Sequence, residues 1–323
     1  MKTIRTEDAV GHVLYHDLTQ IIKGVSKGPK FKKGHIIQTE DIETLLSMGK
    51  EQLYVYEYNE NTYHENEAAE HLAEICRGEN IRQSGVSEGK INLTAACDGL
   101  LKVNVELLNR INDVDKVMIA TKYSNSPVKK GEAIGGTRII PLVIDKSVIE
   151  KCEKIAGKEK LLSVMPYKKM KVGIVTTGNE VYYGRIEDTF TDVVREKMSH
   201  FNFEEIGHRY STDDMSSIAK HIVDLIGEGA DFIMCTGGMS VDPDDNTPGA
   251  IREVASKVVS YGAPVLPGAM FMLAYKGNIP IVGLPGCVMY CGKTVFDILL
   301  PRLAAGEEIE KWDIVSLGNG GFL

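Results

Sequence analysis

From Lys169 onward, short apolar runs alternate with stretches whose apolar positions recur every three or four residues. The runs KVGIVTTG (171–178), FEEIGHRYS (203–211), DFIMCTGG (231–238) and IPIVGLPG (279–286) have the length and composition of core strands. Between them, DTFTDVVREKMSHF places Val193, Val194, Met198 and Phe201 on or near one helical face. MSSIAKHIVDLIGEG places Ile218, Ile222 and Leu225 on one stripe and ends in glycine. NTPGAIREVAS carries Pro248 in its first turn, and CGKTVFDILLPRL reads as a closing helix. Strand–helix alternation of this kind predicts an α/β fold, a mostly parallel sheet covered by helices on both faces. Ligands of such sheets bind beyond the carboxyl ends of the strands.

The first half of the chain is less regular. Residues 1–60 read as a small α+β module: strand-like HVLYHDL and QLYVYEY flank the lysine-rich GVSKGPKFKKGHII, and TEDIETLLSMG reads as a helix capped by Thr39 and stopped by Gly49. Lys23, Lys27, Lys30, Lys32 and Lys33 could form a phosphate patch, but the plainer reading is a solvated loop before a hairpin. YNENTYHENE is polar, without hydrophobic periodicity, and reads as a linker. Residues 61–165 read as a β-rich module with helices at AAEHLAEICRG and DKSVIEKCEKIAG. The third domain is 166–323.

Composition narrows the classes. Hydrophobic residues make up 43% of the 323 and charged residues 25%, enough apolar material for real cores. A net charge of −8 argues against non-specific nucleic-acid binding, which needs a basic surface. It leaves room for anionic small ligands, because backbone N–H groups bind phosphate on acidic proteins too. The six cysteines form no CxxC pair, and Cys287 and Cys291, one helical turn apart, read as packing residues on one helix face. His12 and His16 would share a strand face about 13 Å apart, too far for joint metal ligation. The start MKTIRTEDAV lacks an apolar signal core and no apolar run is long enough to span a bilayer, so a cytoplasmic protein without membrane partners is expected.

Chemistry concentrates where the strands end. Three of the four runs finish in glycine turns: TTGNE (176–180), CTGGMS (235–240) and LPGC (284–287). Glycine lets a backbone approach a ligand with its N–H groups outward, and a helix start behind it favours an oxyanion. Glu180, Asp213, Asp214, Asp242, Asp244 and Asp245 sit beside these turns. Carboxylates next to a phosphate need an intervening cation, and Mg²⁺ suits one or two carboxylates plus phosphate oxygens. Either Asp213 or Asp214 could instead cap the helix that follows. Walker, GxGxxG, GxSxG and HExxH patterns are absent.

The stretches GIVTTGNEV, STDDMSSIAKHI, IMCTGGMSVDPDDNTPGAI and PVLPGAMFMLAYKGNIPIVGLPG together resemble the molybdenum cofactor biosynthesis, or molybdopterin-binding, domain over residues 169–306. The resemblance implies a ligand, molybdopterin, with its phosphate on Thr236, Gly237 and Gly238 and with Ser240 nearby. It implies further contacts at Thr177, Gly178, Pro285 and Gly286, and catalytic or Mg²⁺-holding roles for Asp245, Asp213 and Glu180. ATP or its AMP moiety and molybdate would be co-substrates. Homo-oligomers, dimers or trimers, are also implied.

GGMSVDPDD resembles the form found in molybdopterin molybdenumtransferases, the insertases, more than that of the adenylyltransferases. The departures are Asn179 where insertases usually have aspartate, Cys287–Val288 after the last turn, and Asp244 where adenylyltransferases carry arginine. The insertases' Met-Asp-Gly segment has no counterpart in residues 1–165, nor does their C-terminal β-domain before Leu323. Two expectations therefore stand side by side. One is an insertase-like enzyme that adds molybdate to adenylylated molybdopterin. The other is a non-catalytic carrier or sensor of pterin or finished cofactor that serves a client molybdoenzyme. Adenylyltransferase and nucleotide pyrophosphatase activities are further alternatives.

Overall fold

The computed structural model describes residues 2–22, 26–56 and 59–323, with side-chain placement left aside for Ile22, Ser26 and Lys27. Lys23 and the side chain of Lys27, both part of the suggested phosphate patch, lie outside that description. The chain divides into two compact units. One comprises 1–97, 101–124 and 128–164, and the other comprises 165–323 with the short segments 98–100 and 125–127. No described helix is long and apolar enough to cross a membrane.

In the C-terminal unit six strands form one sheet. Its order is Phe203–Ser211, Met170–Thr177, Phe232–Thr236, Ile279–Leu284, Met272–Lys276, Lys257–Tyr261. The first three pairings are parallel, and the last two are antiparallel. The mostly parallel α/β reading therefore holds, with an antiparallel edge the periodicity did not show. Helices cover both faces. Phe190–Met198 and Val295–Ala304 bury Phe190, Val194, Phe296 and Leu299 against Val172, Ile174, Phe232 and Met234. Met215–Gly227 and Thr247–Val254 bury Ile218, Ile222, Leu225 and Ile251 against Val175, Ile233 and Cys235. Adjacent strand residues feed opposite cores, as the two-residue strand period requires.

Two details differ from the sequence reading. The closing helix begins only at Val295, where Thr294 accepts the Phe296 N–H (3.2 Å) and Asp297 accepts the Thr294 N–H (2.8 Å). Cys287 lies in a single 3-10 turn, Gly286–Met289, and Cys291 lies beyond it, so the two cysteines do not share an α-helical face. Cys291 N–H closes one further bond onto the Cys287 carbonyl (2.9 Å), and the chain then leaves for the Thr294 cap.

The other unit holds two hydrophobic clusters. Ala9, Leu14, Leu18, Phe31, Ile37, Leu45 and Leu53 gather under the helix Asp41–Ser47. A larger cluster lies between an antiparallel sheet and the helices Glu65–Cys76, Val105–Asn112 and Lys146–Ala156; the sheet runs in the order Ile81–Gln83, Ile91–Ala95, Ala133–Ile139, Val117–Thr121. Lys146–Ala156 ends, as expected, at Gly157 with φ 57°.

Several expectations are corrected here. Most of the supposed linker is ordered structure. Thr62–His64 pairs with Val143–Asp145, and His64 caps the next helix by accepting the Asn66 N–H at 3.2 Å. Part of the lysine-rich segment is strand and not loop, since Ser26–Phe31 pairs with Leu18–Ile22. HVLYHDL contributes isolated bridges at Val13 and Leu14 and only its last residue, Leu18, to a strand; the Tyr15 carbonyl between them is taken by His64 Nε2 (2.8 Å). Thr39 does not cap a helix. The helix starts at Asp41, whose carboxylate accepts the Gln38 N–H (2.9 Å) and contacts His35.

Candidate functional site at the strand ends

The sheet order makes Met170–Thr177 and Phe232–Thr236 the pair where the chain's winding reverses. After the first strand it moves outward to Phe203–Ser211, then returns across to Phe232–Thr236. A crevice opens at such a switch point, beyond the strands' carboxyl ends. The registers Thr176↔Thr236 and Thr236↔Leu284 set the three glycine turns at one level on adjacent strands, about 4.8 Å apart.

The turns are built for close approach. Gly237 has φ 85°, and a Cβ there would overlap the Thr177 carbonyl oxygen. Gly238 has φ 55°, and its Cβ would lie 2.8 Å from Thr247 Oγ1. Gly178, at φ 135°, has the Glu180 carboxylate against it, and a Cβ would meet Oε1 at 2.8 Å. Among the described residues the N–H groups of Gly178, Gly237, Gly238, Met239, Gly286 and Cys287 have no hydrogen-bond acceptor. Backbone donors clustered in this way call for an outside acceptor, water or an anion.

Beneath the donors lies a layer of hydroxyls. Thr177 Oγ1 donates to the Thr236 carbonyl (3.2 Å) and meets Thr247 Oγ1 at 3.0 Å; Thr236 Oγ1 donates to Thr176 Oγ1 (3.2 Å). The hydroxyls of Thr177 and Thr236 are thus engaged inside the protein, and these residues can present only backbone to a ligand. Thr176 also meets His208 Nε2 (2.8 Å) and Asp188 (3.2 Å). Asp188 further accepts the Thr191 N–H (3.0 Å) and hydroxyl (2.6 Å), so it ties the loop after the first turn to the sheet. Burial alone would raise the Asp188 pKa, but these donors and His208 outweigh it and hold the group below the usual carboxylate range.

The acidic residues divide by role. Asp214 caps its helix by accepting the Ser217 N–H at 2.8 Å. That settles which of the adjacent pair is the cap, and it leaves Asp213 for the crevice. Asp213 Oδ2 accepts the Asn179 N–H (3.0 Å), and the Asp213 carbonyl accepts from Asn246 Nδ2 (2.8 Å). One residue therefore joins the loops after the first three parallel-strand segments. Asp245 Oδ2 accepts the Asp242 N–H (2.8 Å) and shapes the loop after the TGG turn. Burial raises the pKa of Asp213, and the neighbouring charges of Glu180, Asp244 and Asp245 raise it further, against the Asn179 hydrogen bond.

No lysine or arginine among the described residues pairs with Asp213, Glu180, Asp242, Asp244 or Asp245. No three acidic, histidine or cysteine side chains among the described residues come together as a ready metal cage. Ser240 is exposed at the rim, and Tyr261 OH donates to its carbonyl (3.1 Å).

Sequence reasoning missed Asn246, Thr247 and the Thr176–Asp188–His208 cluster. Asn246 and Thr247 were visible only as part of a helix start. It also missed the exposed Tyr182, Tyr183, Val241 and Tyr290 in the loops that follow the three turns.

Residues 173–305 match the family model described as "Probable molybdopterin binding domain", and residues 3–57 match a "Domain of unknown function (DUF8806)". The chain is 25% identical over 185 residues to the molybdenum cofactor synthesis protein cinnamon of Drosophila melanogaster, covering 54% of this chain and 29% of that one. It is 24% identical over 194 residues to the molybdopterin molybdenumtransferase of Haemophilus influenzae, covering 57% and 45%. Among solved structures, the molybdopterin biosynthesis enzyme MoaB of Thermus thermophilus matches at 26% identity and a TM-score of 0.37, covering 42% of this chain and 91% of that one. The chain spans less than half the length of the curated relatives it matches. Over residues 173–305 the C-terminal unit is thus similar in sequence to the probable molybdopterin-binding domain, as found in molybdenum cofactor biosynthesis proteins.

Proposed function

We propose that the C-terminal unit binds molybdopterin by its phosphate and serves an insertase-like step, the transfer of molybdate to adenylylated molybdopterin. The observation that carries the ligand is the set of unpaired N–H groups on three registered glycine turns. Oriented backbone donors at a switch point suit a phosphate, which gains charge-assisted hydrogen bonds there without a side-chain cation. Gly237 and Gly238 would hold the phosphate, with Gly178 and the Pro285–Gly286 turn flanking it.

Carboxylates around this site would repel such a ligand unless a cation intervenes. Asp213, Asp245 and Glu180 carry no basic partner, and although the three do not gather into a ready cage, one or two of them with phosphate oxygens and water would suffice for Mg²⁺. When bound, Mg²⁺ would neutralise charge on the phosphoryl group that is cleaved. The chain's own contribution is positioning: the phosphate is fixed by backbone, and the loops bearing the carboxylates are fixed by Asp213, Asn246 and Asp188.

A second reading, binding without turnover, is favoured by one feature. Asn179 stands where a further carboxylate is usual in insertases, and its N–H occupies one Asp213 oxygen. Purified protein supplied with adenylylated molybdopterin, Mg²⁺ and molybdate separates the two. Release of AMP that falls at least about tenfold in Asp245→Asn supports the enzyme. Tight pterin binding with no AMP release, unchanged in Asp245→Asn, leaves only the carrier or sensor.

A further inference from the structure

Far from the strand ends in sequence, the unit formed by residues 1–97, 101–124 and 128–164 carries an open pocket of about 300 Å³. Its wall is charged rather than apolar, with Glu65, Glu88, Lys50, Arg138, His16 and Thr19 among its residues. Glu65 is 8% exposed. Among the described residues its carboxylate accepts no hydrogen bond and lies in no ion pair. The residue is packed in, but its carboxylate oxygens stay open to the pocket, where no group among the described residues meets them.

Local geometry keeps the carboxylate in place. The tight turn Ser87–Lys90 sets Gly89 beneath it at φ 67°, and a Cβ on Gly89 would overlap Glu65 Oε2. The His16 ring lines the same cavity, and its Nδ1 is buried without a partner.

The cavity's cations are uncommitted as well. Arg138 donates only from Nε, to the Ile139 carbonyl at 3.3 Å, and Lys50 makes no ion pair among the described residues. By contrast, Asp17 accepts the Lys33 N–H (2.7 Å) and Glu88 accepts from Thr19 Oγ1. An acid and two bases without ion-pair partners among the described residues therefore share one small pocket. A simple anion there would face Glu65, Asp17 and Glu88. A simple cation would leave Arg138 and Lys50 uncovered. Only a ligand that carries both charges satisfies the set, and the volume is at the small end of ligand sites.

We infer that this cavity binds a small zwitterion, an α-amino acid, whose ammonium meets Glu65 and whose carboxylate meets Arg138 and Lys50. Charge-assisted hydrogen bonds at both ends of the ligand supply affinity and orientation. Burial, with Asp17 and Glu88 nearby, raises the Glu65 pKa while Arg138 and Lys33 lower it, so an arriving ammonium favours the ionised form.

Isothermal titration of the full chain with each standard L-amino acid tests this, with methylammonium and acetate as single-charge probes. At least one amino acid should give a saturable isotherm, and both Glu65→Gln and Arg138→Gln should weaken it about tenfold or more. Thermal melting checks that each variant folds. If Arg138→Gln melts non-cooperatively, Lys50→Gln carries the same expectation. The proposal fails if no amino acid binds, if binding survives in the folded variants, or if methylammonium or acetate alone binds as tightly as the amino acid.

Discussion

Gly237 shows what one residue can decide. Its φ of 85° alone would cost a substituted side chain roughly 1–2 kcal/mol. The added Cβ would also overlap the Thr177 carbonyl oxygen, an atom fixed in the sheet. The turn must then open, and the N–H groups of Gly237 and Gly238 lose their common direction. Gly237→Ala should therefore weaken pterin binding at least about tenfold, about 1.4 kcal/mol. Circular dichroism should show the fold retained, because the strain is local to a solvent-facing turn. Unchanged affinity in a titration of this variant would remove the turn from the binding site. Thr177 and Thr236 make the complementary point. Their hydroxyls hold the turn from below, so their replacement by valine acts through the turn's shape and not through a lost ligand contact.

At the scale of single elements, the helix Glu65–Cys76 rests on a neutral histidine. His64 accepts the Asn66 N–H at Nδ1 and faces the Tyr15 carbonyl with Nε2, which requires the tautomer protonated on Nε2. Burial first, and Lys33 second, depress its pKa to about 4, against the Tyr15 hydrogen bond and Glu67. Between the unfolded value of 6.5 and about 4, the unfolded chain takes up a proton that the folded chain refuses. Stability therefore falls as pH drops through this window, by about 3 kcal/mol from this group, and no further below it. Urea unfolding at stepped pH should show the slope, and His64→Asn, which keeps a capping acceptor without titrating, should flatten its share. A slope identical in both proteins would mean that His64 is already protonated in the fold.

This element also shows where sequence reading stopped. The start of the helix looked like linker because its cap is a histidine and its neighbouring strand is only Thr62–His64, too short for alternation to register. The two antiparallel strands of the C-terminal sheet, Met272–Lys276 and Lys257–Tyr261, were hidden differently. Gly277–Asn278 between MLAYK and IPIVGL is a two-residue hairpin turn, and Lys276↔Ile279 confirms it, yet the stronger apolar run after the turn masked the strand before it. Three of the four parallel strands were legible because each is a continuous apolar run that ends in glycine; Phe203–Ser211 was legible from its place between two helical stripes. The carboxylates were legible by position, but the division between Asp214 as cap and Asp213 as tie needed coordinates.

Across the whole molecule, the net charge of −8 and the acidic crevice oppose any phosphorylated ligand. Glu180, Asp244 and Asp245 already push the Asp213 pKa upward in concert with burial, so their charges act on one another within the site. Backbone donors alone must then overcome repulsion that grows as salt is removed, because screening falls with ionic strength. The sign of the salt effect follows from this. Without divalent cation, pterin affinity should rise as monovalent salt is added, opposite to the behaviour of a basic phosphate site. With Mg²⁺ present, affinity should be about tenfold or more higher and nearly indifferent to salt, and a chelator should return it to the lower level. Asp245→Asn should shrink the Mg²⁺ gain while it raises the affinity measured in chelator, since it removes both a ligand for the cation and a charge facing the phosphate. If affinity instead falls with salt and ignores Mg²⁺, the phosphate is held by lysine or arginine side chains outside this crevice. The glycine turns would then be structural.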